Sequence, residues 1–204
     1  MDIETSNAIK LFFPNPSLVQ VFFEAVANAL DAAASEISIK IEIQSFTTPE
    51  TLKISISDNG NAFTDESFER FKRLLKPQDS FHKGLGRLVF LNYFGRIAVE
   101  SVWGTKRRVF NFSESFQGDN QLETLESVQP NSTTLVFSNF IKDRVKSYDD
   151  LRPSSLKERI IEQFLPALHE RRRLKRDFTI RIDLHTEESK AQKEFFSGVS
   201  SALL

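Results

Sequence analysis

Cysteine is absent from this sequence. Its absence excludes disulfides, thiolate metal sites and cysteine nucleophiles, and it fits a reducing cytoplasm, the expected location. No run of about 18 apolar residues occurs, so no membrane span is expected. The first ten residues carry Asp2 and Glu4 and lack the apolar core of a signal peptide. His82, His169 and His185 are too scattered to suggest a zinc centre. Neither sign of charge prevails: 27 basic residues face 28 acidic ones, for a net charge of −1. No global field therefore draws the chain to nucleic acid or anionic lipid. Tryptophan and tyrosine are scarce, one and two residues, against 20 phenylalanines. That imbalance points to a core packed with phenylalanine. At 204 residues, 40% hydrophobic and 27% charged, the chain has room for one domain, or one and part of a second.

The hydrophobic pattern orders the chain. Residues 17–34 read as a helix, with Ser17 as its N-cap and Leu18, Val21, Phe22, Ala25, Ala29 and Ala33 at helical spacing. Ile37, Ile39, Ile41 and Ile43 alternate with polar residues, and Leu52, Ile54 and Ile56 do the same. The two runs predict an antiparallel hairpin with one buried face. A helix is expected over 64–76, a loop over 77–87 and a helix over 87–93. Strands are expected over 96–103, 106–112, 122–128 and 133–138. A helix over 154–173 and a strand over 178–184 follow, and the tail has no clear period. Helices and strands do not alternate as in a doubly wound sheet, so the expectation is an α+β sandwich. Its mixed, mostly antiparallel sheet would be covered by helices on one face.

Three elements can carry chemistry. Glu24, Asn28 and Asp31 are spaced by four and three, so they project from one side of the first helix. No lysine or arginine lies between Ser17 and Ala34, and small alanines flank the trio, leaving room for a ligand. Asp58-Asn59-Gly60 ends the second strand of the hairpin. It reads either as a plain turn or as a carboxylate able to accept an exocyclic amine, with Gly60 admitting a flat ring. Lys83-Gly84-Leu85-Gly86-Arg87 precedes a helix, where glycine N–H groups and two cations suit phosphates.

Their order resembles the motif set of the GHKL (Bergerat-fold) ATPases. Glu24 to Ala32 resembles the family's E-x-x-x-N-x-x-D-A box, and Asp58 to Gly60 the start of its D-x-G-x-G box. Gly84-Leu85-Gly86 resembles the later glycine box, and Ser132-Thr133-Thr134 the final box. The wording is closest to chaperone-like and MutL-like members. The resemblance implies a Bergerat fold over residues 1–150 and an ATPase using ATP and Mg²⁺. It implies Glu24 as the general base, Asn28 as the Mg²⁺ ligand and Asp31 near the metal's water shell. Asp58 and Gly60 would receive the adenine, and Thr133 would contact the same region. Lys83, Gly84, Leu85, Gly86 and Arg87 would form a lid over the phosphates. Self-association on ATP binding, and other domains of a longer chain or complex, would be the partners. Two departures stand out: Ala62 replaces the second glycine of the D-x-G-x-G box, and Ser132 a glycine before Thr133. They leave a catalytically weak nucleotide-binding scaffold as the alternative.

Residues 151–204 read as the possible start of a truncated transducer-like domain. The run Arg171, Arg172, Arg173, Lys175, Arg176 invites a nucleic-acid contact. Cations at a helix C-terminus, complementing its dipole, are the preferred reading.

Overall fold

The structure is a computed structural model. It describes residues 17–72, 86–141, 143, 145, 148–176 and 178–187, and the backbone of 192–197. The elements in order are α1 (Val19–Asp31), β1 (Glu36–Ile43), β2 (Lys53–Asp58), α2 (Asp65–Lys72), α3 (Leu88–Tyr93), β3 (Phe94–Phe112), β4 (Gln121–Phe140), α4 (Pro153–Arg173), β5 (Thr179–Thr186) and β6 (Gln192–Ser197). The strands form one sheet in the order β3-β4-β2-β1-β5-β6. Among the described strands only β1 and β5 are parallel; the other pairs run antiparallel. The mixed α+β sandwich expected above is the architecture observed.

The alternating isoleucines explain the layering. Ile37, Ile39, Ile41 and Ile43 of β1, Ile54 and Ile56 of β2, and Ile180, Ile182 and Leu184 of β5 are all buried. They meet Val21, Phe22, Ala25, Val26 and Ala29 of α1 and Leu156, Ile160 and Leu168 of α4 in one core. Each isoleucine, leucine, valine or phenylalanine among them, fully buried, stabilises the fold by roughly 1.5–3 kcal/mol. The other face carries exposed Ser38 and Lys40. Phenylalanine does build part of the core: Phe63, Phe68, Phe71, Phe112 and Phe116 ring Phe110 and one another at centroid distances of 5.0 to 5.9 Å.

Several expectations change. The strands expected over 96–103 and 106–112 are one strand, β3, and those over 122–128 and 133–138 are one strand, β4. The pairing of β3 with β4 shifts register between Val102 and Lys106, where Gly104 has φ +56°. This irregularity breaks the alternation and mimics a strand end. Ser17 does not cap α1; its hydroxyl donates to Asp150 at 3.3 Å, and Leu18 holds the cap position. The tail adds β6, and β5 with α4 joins the same sheet and core as α1. Among the described residues no helix is long and apolar enough to cross a membrane.

Candidate functional site

The C-terminal end of α1 organises half of the site. The chain leaves α1 by a Schellman turn: the Ala34 N–H bonds the Ala29 carbonyl and the Ala33 N–H that of Leu30, with Ala33 at φ +61°. Arg171, in the last turn of α4, donates to the carbonyls of Leu30 (2.7 Å) and Ala34 (2.6 Å). This member of the basic run therefore complements the C-terminus of α1 as well as of its own helix. Arg173 pairs with Glu170 at 2.6 Å.

Asn59 and Gly60 of Asp58-Asn59-Gly60 pack against that helix end and the residues that leave it. Asn59 Oδ1 accepts the Ser35 and Glu36 N–H groups at 2.8 and 2.9 Å. Gly60 lies so close to α1 that a Cβ there would stand 2.8 Å from both the Cβ and the carbonyl of Ala32. The Asn61 N–H bonds the same carbonyl at 2.8 Å. Asp58 Oδ1 accepts the Gly60 N–H at 2.8 Å. Burial raises the Asp58 pKa above the ordinary carboxylate value, and the Gly60 N–H partly offsets it. This is more than a solvated turn.

Sheet register completes this end. Asp58 pairs with Thr133 across β2 and β4, and Thr133 with Ser101 across β4 and β3. Partners across a ladder share a face, so Asp58, Thr133 and Ser101 form a polar row beside Ile37. Thr133 and Ser101 are buried, and their hydroxyls lie 2.9 Å apart. Ala62, which follows, is buried with φ +61°. An L-residue is strained in that left-handed region, which explains why a glycine suits the position.

The other end sits two turns up α1. The Asn28 amide nitrogen donates to Glu24 Oε1 at 3.2 Å, leaving the Asn28 carbonyl oxygen turned away from Glu24. Asp31 is exposed, one turn on. Seven residues of helix separate Glu24 from Asp31, about 10 Å along the axis. Gly86 presses on Glu24: a Cβ there would lie 2.0 Å from Oε2. Next to it, Arg87 stacks on the Phe71 ring at 4.2 Å and donates to the Phe71 carbonyl at 2.9 Å. Burial lowers the Arg87 pKa to about 10, opposed by the charge of Glu24. The Glu24 carboxyl is raised above its ordinary value, chiefly by burial. The Asn28 hydrogen bond and the Arg87 charge oppose the shift, and Asp31 adds to it.

The structure thus brings Glu24, Asn28, Gly86 and Arg87 together at one end and Asp58, Gly60 and Thr133 at the other. Lys83, Gly84 and Leu85 lie outside the described residues. The sequence reading missed Ser101 and Gln20, and it assigned Arg171 to its own helix end rather than to that of α1. Gln20 lies one turn before Glu24, lines the same depression with Gly86 and Gln163, and has a buried Oε1 without a partner. Its i, i+4 spacing to Glu24 was the available signal.

The sequence model of one family, described as histidine kinase-, DNA gyrase B-, and HSP90-like ATPase, matches residues 15–121, more than half of the chain. No curated protein matches it. Two solved structures resemble it in fold. One is the N-terminal domain of a DNA repair protein: 14% identity, 94% of this chain and 55% of that one covered, TM-score 0.57. The chain thus spans about half the length of that relative. The other is the topoisomerase IV ATP-binding domain of Francisella tularensis, solved with a small-molecule inhibitor: 16% identity, 85% and 84% covered, TM-score 0.51.

Proposed function

The chain belongs to the histidine kinase-, DNA gyrase B-, and HSP90-like ATPase family, and we propose that it binds ATP with Mg²⁺ and hydrolyses it slowly. The observation that carries this is the pairing of Glu24, a carboxyl raised by burial, with Asn28 one turn along α1. A carboxylate of raised pKa is the stronger base at neutral pH. Glu24 would orient a water and take its proton as that water attacks the γ-phosphorus. Asp58 would accept a hydrogen of the adenine amine, with Gly60 and Thr133 beside the ring. The two ends would then fix a nucleotide by its base and by its phosphates, and positioning is most of what phosphoryl transfer requires.

The residues fit a hard divalent cation. The Asn28 nitrogen is spent on Glu24, so its carbonyl oxygen is the group free to ligate, and Asp31 stands one turn away for the water shell. Among the described residues no cluster of three or more His, Asp or Glu could hold a metal alone. The ion would therefore rest largely on nucleotide oxygens. When bound, Mg²⁺ supplies charge neutralisation at the phosphates.

Lys83, Gly84, Leu85, Gly86 and Arg87 would close over the phosphates as the resemblance implies, and closure would favour self-association. The pairing of β5 with β1 supports counting residues up to 186 with the nucleotide-binding unit. A cytoplasmic location and further domains as partners complete the proposal. The test is ATP turnover by the wild type and by Glu24→Ala. Turnover confined to the wild type supports it; equal rates remove Glu24 as the base. A second reading, a binding scaffold with negligible turnover, draws on strained Ala62 and on Gly86 lying against Glu24. It predicts Mg-ATP binding without phosphate release in either protein.

A further inference from the structure

One buried hydroxyl has no part in the reading above. Ser101 on β3 is 0% exposed and sits opposite Thr133. Its Oγ accepts the Phe63 N–H at 2.9 Å, contacts the Ser132 carbonyl at 3.1 Å, and lies 2.9 Å from Thr133 Oγ1. A carbonyl has no hydrogen to give, so the contact with Ser132 takes the single hydrogen that Ser101 has. The bond between the two hydroxyls must then use the hydrogen of Thr133. Thr133 keeps only lone pairs for a group placed beside Asp58, its partner on β2. An ionised Asp58 also offers lone pairs alone. The floor of the base end is therefore a pair of acceptors.

A purine with a 6-amino group brings hydrogens to such a floor, directly or through a water. A purine with a 6-oxo group brings a third acceptor at that position and carries its hydrogen on N1 instead. We propose that Ser101 is a positioning residue that fixes Thr133 as an acceptor and thereby selects 6-amino over 6-oxo purine nucleotides. This rests on the nucleotide-binding reading above. Without the Ser101 hydroxyl, Thr133 is free to turn its hydrogen outward and donate to a 6-oxo group.

The experiment is calorimetric titration of the full chain with Mg-ATP and with Mg-inosine triphosphate, whose base differs from adenine in its 6-oxo group and in the hydrogen that N1 then carries. The wild type, Ser101→Ala and Thr133→Val are compared, with melting curves to confirm folding. The wild type should prefer ATP, and both variants should lose about tenfold of that preference, the worth of one hydrogen bond. A merely structural role for Ser101 would weaken both nucleotides together and leave their ratio unchanged, which overturns the proposal. Should Ser101→Ala fail to fold, an unchanged ratio in Thr133→Val overturns it equally. A wild type that binds both nucleotides alike overturns this inference and leaves ATP binding standing. A wild type that binds neither overturns the parent reading and this one with it.

Discussion

The two ends of the site are built by different means. The end proposed for the base is a product of sheet register: Thr133 is the cross-strand partner of both Asp58 and Ser101, and its hydroxyl lies 2.9 Å from that of Ser101. The end proposed for the phosphates is a product of helix contacts. Glu24 and Asn28 share a helical turn, but what surrounds Glu24 comes from Gly86 and the start of α3 and from Gln163 and Phe164 of α4. A row fixed by a ladder moves only if the sheet moves. A helix face closed by a neighbouring N-terminus can change its neighbour without unfolding. On the proposed reading the first end would suit recognition and the second a cycle.

The contrast can be broken at its softer end first. Gly86→Ala would force a Cβ to within 2.0 Å of Glu24 Oε2, and an active-site misplacement near 1 Å is expected to slow ATP turnover about 100-fold. Binding of ADP should change little, which a parallel titration checks. Arg171→Ala removes two bonds to carbonyls at the end of α1. Denaturant unfolding should show a loss of about 1–2 kcal/mol, and the base end, anchored at Ala32, should weaken for ATP as well.

A third effect comes from the carboxyl that burial raises at the phosphate end. A carboxyl raised in the folded chain holds its proton better there than in the unfolded chain. Stability then falls as pH climbs from the ordinary carboxylate value through the raised one, and stays low above it. Glu24→Gln removes that penalty, so at neutral pH it should raise Tm by roughly 2 °C. The gain should vanish once acid protonates the carboxyl in both states. The smallest effect is at Ala62, whose φ is +61°. Ala62→Gly relieves strain of about 1–2 kcal/mol at the expense of added unfolded-state freedom, leaving a net gain of roughly 0.5–1 kcal/mol by equilibrium unfolding.

What was legible in the sequence follows the same division. The i, i+4 stripe of Glu24 and Asn28 and the alternating isoleucines express local periodicities, and local geometry preserves them. In the sequence the long strands β3 and β4 read as four pieces, because the register shift near Gly104 interrupts the alternation. The run from Gln192 to Ser197 has no alternation, and it became a strand only by pairing with β5. Ser101 looked like any strand serine. Its importance depends on Thr133, 32 residues away, and on a hydrogen count that no single segment contains. The basic run at 171–176 read as the end of its own helix, and nothing local disclosed that Arg171 also caps α1.

The most direct test sets one substitution at each end side by side: Mg-ATP affinity and turnover of Glu24→Gln and Asp58→Asn. Glu24→Gln should retain affinity within about threefold and lose turnover by roughly 100-fold or more. Asp58→Asn should lose affinity by about tenfold or more and keep its turnover at saturation. Equal affinities in Asp58→Asn and the wild type, or full turnover in Glu24→Gln, would contradict the account.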